Sequence, residues 1–267
     1  MVECVKITIE MKKLSDEYII RPIGDIHLGH QGFDEEKFDS VIDYILKTPN
    51  VLVVGMGDYI DNVMPYANGT TDKRYSHDSV VRKFLTTEDQ IHGVMEKLMK
   101  IKDKIITMTW GNHEWKTMDE QRFIDDFCKP LDTKFLGKIG YLYLTFKYKG
   151  KEVSNYLLLI KHAGSNASKA GSALNHMEDF GADWDYDIQL MGHNHGTFVA
   201  TSMRIGYDPK TNNLVEIKQI HGNTGTFLRS YQKGTSSYIE TKPNKSKRVA
   251  TIAITLVPET GEMYGHD

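Results

Sequence analysis

The chain has 267 residues, of which 40% are hydrophobic and 26% charged, a balance typical of a globular protein with a substantial core rather than a disordered or fibrous one. It contains no run of 18 uninterrupted apolar residues and no apolar signal-peptide region after its N-terminus, which argues against a membrane span and favours a cytoplasmic location. Two cysteines, Cys4 and Cys128, exclude a disulfide framework, and a formal net charge of −3 restricts nucleic-acid binding to local basic patches or bound metal.

The first half of the chain alternates between predicted strands and predicted helices. Strands are predicted at residues 18–25, 51–58 and 104–114, where short apolar runs are bounded by glycine. A helical pattern follows each of these strands. Such an alternation predicts a largely parallel sheet with helices on its faces.

The three predicted helices are recognised by their apolar periodicity and their capping residues. The first ends before Pro49 and has five apolar residues on one face, namely Phe38, Val41, Ile42, Ile45 and Leu46. The second and third are predicted to begin at the capping boxes Thr87-x-x-Gln90 and Thr117-x-x-Glu120.

The second half of the chain is richer in strands. Residues 141–164 predict a hairpin that turns at Lys149-Gly150, residues 168–180 predict a helix, and residues 186–196 contain another strand. From about residue 197 onward, short β-rich segments separated by glycine, asparagine and proline predict a second, antiparallel layer.

The simplest domain organisation is a single domain over residues 1–267. A polar stretch at about 62–86 is predicted to be a loop insertion, and the part from about residue 197 is predicted to be β-rich. The basic segments 147–152 and 242–249 are candidate patches for a polyanion, although short lysine runs are more often solvated turns.

Side chains that can ligate metal follow five predicted strands. In chain order these residues are Asp25, His27, Asp58, Asn112, His113, His162, His193 and His195. Ligands of open α/β sheets bind outside the carboxyl ends of the strands, so we expect these side chains to share one crevice. Each residue alone is explained by a cap or a turn, but together they would leave several polar groups unsatisfied unless cations bind.

The chemistry of these donors indicates the kind of metal. Carboxylate, imidazole and amide donors without a thiolate suit Mn²⁺, Fe or Zn²⁺. The seven candidate ligands other than His113 are too many for one ion and appropriate for two, and paired metals about 3.5–4 Å apart are a recurrent device for phosphoester cleavage. Asp58 is the natural bridge, because one carboxylate can contact both ions.

The motifs GDIHLG, GDYID, GNHE, KHAG and GHNHG, in this order between about residues 20 and 196, resemble the signature of the calcineurin-like metallophosphoesterase family. The resemblance implies a four-layer α/β/β/α sandwich with a dinuclear metal site at the C-terminal ends of the strands. It implies one metal at Asp25, His27 and His195, a second at Asn112, His162 and His193, and Asp58 as the bridge. Mn²⁺ is the expected ion, with Fe, Zn²⁺ or Ni²⁺ as alternatives.

The same resemblance implies catalytic roles for two further residues. His113, which holds no metal in the family pattern, would protonate the leaving oxygen or stabilise charge on phosphorus. Asp61 would orient the His113 imidazole and favour its charged form. The attack on phosphorus would be direct and in line, by a metal-bound water or hydroxide.

The substrate remains open among several phosphoesters. The strings DIHLGH and GDYIDNVMP are most similar to the branch of DNA double-strand-break repair exonucleases, which favours a phosphodiesterase or nuclease acting on DNA, RNA or a nucleotide. A phosphomonoesterase is the alternative. A non-catalytic metal-binding scaffold is a third class, which predicts lost ligands, whereas all seven are present. Oligomeric state is left open, with a homodimer as one possibility.

Other histidines and aromatic residues give weaker signals. His30 is a candidate for substrate contact and His221 follows another predicted strand, while four more histidines are predicted to be surface residues, namely His77, His92, His176 and His266. Tyr59, Tyr66 and Trp115 flank the motifs and are predicted to be packing residues, with base stacking as the alternative.

Overall fold

Two β-sheets packed face to face form the centre of the computed structural model, which describes residues 2–62, 82–84, 86–162, 169–231 and 246–267. Most of the predicted insertion at about 62–86, together with His77 and Tyr66, lies outside the described residues.

The first sheet carries the predicted parallel strands. Its order is β13-β12-β2-β3-β4-β5, and β2 to β5 run parallel to one another. The strands are β2 (Tyr18–Ile23), β3 (Val51–Met56), β4 (Ile105–Thr109), β5 (Lys134–Phe135), β12 (Ala253–Val257) and β13 (Glu262–His266). The prediction of a parallel sheet in the first half is therefore confirmed.

The second sheet is mixed. Its order is β1-β6-β7-β8-β10-β11, with β9 paired to β10. The strands are β1 (Glu3–Glu10), β6 (Ile139–Tyr148), β7 (Lys151–Lys161), β8 (Ile188–Met191), β9 (Thr197–Asp208), β10 (Asn213–Thr226) and β11 (Ala250–Thr251). The predicted hairpin at Lys149-Gly150 joins β6 to β7 and is confirmed. Strand β1, which pairs with β6, was not predicted, although its alternation of polar and apolar residues is typical of a half-buried strand.

The β-rich C-terminal part does not form a layer of its own. Strands β9 and β10 extend the second sheet, whereas β12 and β13 add to the edge of the first sheet beside β2. The prediction of a separate antiparallel layer was wrong, because both sheets have open edges that offer backbone hydrogen bonds to incoming strands.

Helix α1 (Glu35–Lys47) packs on the outer face of the first sheet. Asp34 caps it by accepting a hydrogen bond from the Lys37 N–H at 3.1 Å. Four of the five predicted apolar residues are buried, but Leu46 is 46% exposed, because it lies at the margin of the apolar face.

The other two helices of this layer begin at caps that differ from the predicted ones. Helix α2 (Thr87–Leu98) is capped by Thr86 with Asp89, while the predicted partner Gln90 is buried and its Oε1 accepts the Asn62 N–H at 2.8 Å. Helix α3 (Glu120–Phe123), continued by a π-helical turn, is capped by Asp119. The Thr117 hydroxyl instead donates to the Glu114 carbonyl at 3.1 Å.

Two clusters of buried apolar residues fill the spaces between the layers. One lies between the first sheet and its helices, and includes Phe38, Val53, Val94 and Phe127. The other lies between the sheets, and includes Ile20, Val54, Leu142, Leu158 and Leu190. Helix α4 (Ala170–Gly181) covers the other face of the second sheet. The predicted four-layer α/β/β/α sandwich is confirmed. Among the described residues, no helix is long and apolar enough to span a membrane.

Candidate metal centre

Five strands end at one edge of the two sheets and carry the predicted ligands there. Asp25 follows β2, Asp58 follows β3, Asn112 follows β4, His162 follows β7 and His193 follows β8. Because neighbouring strands of each sheet reach this edge together, residues far apart in the chain come into contact.

Several of these residues adopt left-handed backbone conformations that only glycine adopts freely. The φ angles are 47° at Asp25, 53° at His27, 51° at Asp58, 77° at His193 and 58° at His195. A non-glycine residue in this region costs about 1–2 kcal/mol, and such strain clusters at functional sites. The turns after the strands are therefore held by the surrounding structure.

One cluster of donors consists of Asp25, His27 and His195, whose ligating atoms lie within 4.8 Å of one another. The Nε2 atoms of His27 and His195 are 3.1 Å apart. Asp25 Oδ1 is 3.3 Å from His195 Nε2, yet it is buried and accepts no well-directed hydrogen bond from the described residues. A cation between these three groups would satisfy all of them, so the donors fit a metal ion.

A second cluster consists of Asp58, His162 and His193, also within 4.8 Å. His162 Nε2 lies 3.1 Å from Asp58 Oδ2 and 3.3 Å from the amide oxygen of Asn112. The oxygen and nitrogen donors again converge, with no thiolate among them, as borderline and hard divalent ions require.

The carboxylate of Asp58 belongs to the second cluster and also forms a candidate metal group with His27, a member of the first cluster, and His113. Its Oδ2 is 4.0 Å from His27 Nε2 and 3.1 Å from His162 Nε2. Its Oδ1 accepts the main-chain N–H of His113 at 2.9 Å. One carboxylate is thus within reach of both groups of donors, as the predicted bridge requires.

Hydrogen bonds orient two of the imidazoles toward the clusters. Asp61 Oδ1 lies 3.2 Å from His27 Nδ1, and the Met56 carbonyl accepts from His162 Nδ1 at 2.5 Å. With Nδ1 engaged in this way, each ring presents Nε2 to the ligand position. Asp25 is held as well, because its Oδ2 accepts the His193 N–H at 3.0 Å.

The pKa shifts reflect how closely these groups are packed. Burial lowers the pKa of His27 to about 4, so its imidazole is neutral and able to ligate at neutral pH. Burial alone would lower the pKa of His162, but Asp58 and other partners raise it to about 10. Burial would raise the pKa of Asp58, yet the neighbouring histidines, His162 first, hold it well below its ordinary value. Metal binding at His162 would therefore displace a proton.

His113 lies at the opening of the centre, with its side chain 16% exposed. Its Nδ1 donates to the main-chain carbonyl of Asp61 at 2.5 Å, whereas the Asp61 carboxylate is 3.8 Å away and closer to His27. Burial lowers the pKa of His113, but Asp58 and Asp61 together raise it above its ordinary value. The main-chain carbonyl of Asp61, rather than the carboxylate to which the prediction gave the orienting role, therefore makes the nearest contact to the His113 imidazole.

Glu114 is a buried residue of the site that the sequence analysis left without a role. Its carboxylate accepts four main-chain N–H groups, from Asp58 at 3.0 Å, Tyr59 at 2.7 Å, Ile60 at 3.2 Å and Gly111 at 2.8 Å. It ties the loop after β3 to the loop after β4. Burial, with the charge of Asp58, raises its pKa to about 7. The signal was its place in the GNHE motif, next to two candidate residues.

The remaining candidates have structural partners. His30 Nδ1 accepts the Gly32 N–H at 2.8 Å, and His221 lies within β10 rather than after it, 3.0 Å from Gln189 Oε1. Tyr59 is fully buried and its hydroxyl donates to the Thr109 carbonyl, so it packs as predicted. Trp115 lies beside His162, with ring centroids 6.3 Å apart. Three of the predicted surface histidines are exposed, namely His92, His176 and His266.

Residues 22–197, well over half of the chain, match the sequence model of the calcineurin-like phosphoesterases. The chain belongs to the calcineurin-like phosphoesterase family. This membership, with the donor clusters, identifies the protein as a metal-dependent phosphoester hydrolase. No curated protein sequence matches the chain significantly.

Several solved structures resemble this calcineurin-like phosphoesterase at low identity. A predicted phosphoesterase from Streptococcus pneumoniae is 11% identical, with a TM-score of 0.37 over 94% of this chain and 97% of that chain. Vps29 from Entamoeba histolytica, in complex with zinc, is 10% identical, with a TM-score of 0.40 over 93% and 97%. Vacuolar protein sorting 29 from Cryptosporidium parvum is 13% identical, with a TM-score of 0.38 over 93% and 95%. The family assignment rests on the sequence match.

Proposed function

We propose that this calcineurin-like phosphoesterase is a phosphodiesterase that uses two divalent metal ions to hydrolyse nucleic acid or a nucleotide by direct, in-line attack of water on phosphorus. The observation that carries the proposal is the convergence of donor groups around Asp58, which belongs to the cluster with His162 and His193 and forms a further group with His27 and His113.

The proposed ligands divide as the two clusters do. Asp25, His27 and His195 would hold one ion, Asn112, His162 and His193 the other, and Asp58 both. Bound divalent ions would neutralise charge on the phosphoryl group and lower the pKa of the attacking water. The hydrogen bonds that the His27 and His162 imidazoles donate to the Asp61 carboxylate and the Met56 carbonyl support this division, because they fix which ring nitrogen is available.

His113 is the proposed general acid. The carboxylates of Asp58 and Asp61 favour its imidazolium form, and the Asp61 carbonyl holds Nδ1, which leaves Nε2 to donate. A proton on Nε2 would pass to the leaving oxygen as its bond to phosphorus breaks. Such a donor matters most for a poor leaving group such as a sugar alkoxide, which both nucleic acids and nucleotides release.

The wider proposals concern the setting of the enzyme. We propose Mn²⁺ as the ion, a cytoplasmic location, and one domain over residues 1–267. Two free cysteines, Cys4 exposed and Cys128 buried, support a reducing compartment. A homodimer is tested by light scattering on the purified protein, because the measured molar mass distinguishes one chain from two.

The test begins with protein stripped of metal and reloaded separately with Mn²⁺, Fe²⁺, Zn²⁺ or Ni²⁺. A phosphodiesterase cleaves bis(p-nitrophenyl) phosphate and single-stranded DNA or RNA faster than p-nitrophenyl phosphate and mononucleotides. The reverse preference would establish the alternative, a phosphomonoesterase. Metal binding without hydrolysis of either ester class would establish a scaffold.

The variant His113→Ala separates acid catalysis from metal binding. We expect two bound metals to persist while turnover falls by about 10²–10⁴, since His113 is proposed as an acid and not a ligand. His92→Ala, an exposed change in helix α2, is the matched control and should keep full activity. Full activity in His113→Ala would remove that residue from the mechanism.

A further inference from the structure

Two adjoining cavities lead away from the candidate metal centre. The inner cavity, of about 190 Å³, is lined by Asn194 and Gly196, the residues on either side of His195. The outer cavity, of about 430 Å³, lies between β2, α1 and the C-terminal strands. Arg248 lines both cavities. The two cavities therefore meet at Arg248, and the inner cavity borders the segment that carries the proposed ligand His195.

The inner cavity is positively charged. Its cationic lining residues are Lys169, Lys247 and Arg248, and the described part of its lining includes no carboxylate. The Lys247 ammonium lies 3.8 Å from where a Cβ of Gly196 would be, next to the ligand His195. The Lys247 main-chain N–H donates to the buried Ser230 hydroxyl at 2.8 Å, which holds this segment in place. An anionic group of a ligand would be stabilised in the inner cavity, next to the proposed metal ligand His195.

A buried acceptor in the inner cavity also lacks a partner. Asn223 is 1% exposed and its Nδ2 donates to Asn194 Oδ1, while its Oδ1 has no hydrogen-bond partner among the described residues. An unsatisfied buried polar atom costs about 1–3 kcal/mol. A ligand with both an anionic group and a hydrogen-bond donor, such as the phosphate and the base or sugar of a nucleotide unit, matches this lining.

The outer cavity combines cations with an aromatic ring. Arg21 donates through Nη1 to the Ile252 carbonyl at 3.1 Å, and its Nε is buried without a partner in the described part of the chain. The Arg21 guanidinium lies over the Tyr44 ring at 5.0 Å from its centroid, and Tyr44 is 42% exposed. Lys37 adds a cation and Asp267 an acid to the lining. Exposed aromatic rings such as that of Tyr44 can stack on bases.

Among the arginines whose side chains the structure describes, the two that line the cavities differ from the other three in their ion pairs. Arg122, Arg204 and Arg229 each form ion pairs with carboxylates at 2.7–3.1 Å. Arg21 and Arg248 form no ion pair with the described residues. A ligand in these cavities could supply the negative charge that these two guanidinium groups do not receive from the described carboxylates.

We propose that the inner and outer cavities bind the sugar-phosphate backbone of a single nucleic-acid strand whose scissile phosphate lies at the metal centre. This inference rests on the proposed function and narrows its substrate to a polymer. A mononucleotide carries its phosphates at one end, whereas the cations here line two successive cavities. A chain with repeated phosphates matches both.

The test uses the full-length double variant Lys247→Ala/Arg248→Ala, with Lys12→Ala/Lys13→Ala as the control. The control removes two adjacent, exposed cations after β1, at the end of the second sheet opposite the metal centre. The substrates are bis(p-nitrophenyl) phosphate and single strands of DNA and RNA of about 12 nucleotides. Binding of labelled strands without added metal is followed by fluorescence anisotropy.

We expect the double variant to lose about tenfold in kcat/KM and in affinity for the strands, with a much smaller loss on the aryl ester. The slope of log affinity against log salt should fall by about 1.4, because each lost phosphate contact contributes about 0.7 on single strands. The control variant should match the wild type on both substrates. A difference in kcat/KM or affinity between the DNA and RNA strands would identify which backbone is preferred.

Equal losses on strands and aryl ester, or no loss on either, would overturn the inference. Wild-type protein that binds strands through these residues but cleaves no phosphoester would refute the proposed function and leave the binding path standing. Wild-type protein that cleaves the aryl ester but binds no strand would refute the binding path and leave the phosphodiesterase activity standing.

Discussion

Gly111 lies against Asp58, whose carboxylate belongs to one donor cluster and is 4.0 Å from His27 of the other. Replacement of Gly111 by alanine tests the geometry of the site. A Cβ at Gly111 would overlap Oδ1 and the main-chain nitrogen of Asp58 and lie 2.7 Å from Asp58 Cγ. Ordinary carbon contacts are about 3.5–4 Å. Asp58 cannot easily withdraw, because its N–H donates to Glu114 at 3.0 Å and that carboxylate also accepts the Gly111 N–H at 2.8 Å.

The expected losses of stability and of metal affinity in Gly111→Ala follow from this crowding. Overpacking a well-packed site costs about 1–3 kcal/mol, and we expect the upper end because the neighbours are backbone and a buried carboxylate. Displacement of Asp58 should also weaken metal binding by about 10–100-fold, as loss of a supporting contact around a metal site does. Urea denaturation measures the first quantity, and equilibrium dialysis with elemental analysis measures the second.

Gly171→Ala is the matched control. A Cβ at Gly171, in the first turn of α4, has no atom within 4 Å, and alanine favours a helix by up to about 1 kcal/mol over glycine. This variant should be as stable as the wild type or slightly more so. If Gly111→Ala retained both wild-type stability and wild-type metal affinity, the reasoning that places Asp58 in a confined position would be refuted.

Three further outcomes are expected. Asp58→Asn should lower the occupancy of both metal positions together, since its carboxylate is within reach of donors in both clusters; elemental analysis that finds two tightly held metals would place the bridge elsewhere. Asp34→Ala should destabilise the protein by about 1–2 kcal/mol through loss of the α1 cap. Burial raises the pKa of Asp34, but hydrogen bonds from Arg229 and Lys37 hold it below its ordinary value, so the wild-type advantage should be full at neutral pH and vanish as pH falls through that lowered pKa; a difference in unfolding free energy that persists unchanged in strong acid would contradict this. Burial raises the pKa of Cys128 to about 12, so a thiol reagent should label only Cys4 in the native protein and both cysteines after unfolding, and rapid native labelling of Cys128 would show that its surroundings open readily.

The sequence by itself was sufficient for the fold class and for the family. Strand patterns predicted a largely parallel sheet with helices on its faces, and the family resemblance carried by the five ordered motifs implied the four-layer sandwich, which is confirmed. The motifs also named the residues that the structure brings together, such as Asp25, His27 and His195. These signals are local, because a polar residue in a glycine turn after a strand lies at the edge of the sheet regardless of the structure of the rest of the chain.

Only the tertiary structure decided which partner each polar group has. The Asp61 carboxylate lies nearest His27 rather than His113, and Glu114 joins two loops through four backbone N–H groups. The C-terminal strands divide between the two sheets, and the cap of α2 lies at Thr86 because Gln90 is used elsewhere. These partners depend on which hydrogen-bonding groups come into contact after the layers pack. The spacing of residues along the chain does not predict such long-range contacts.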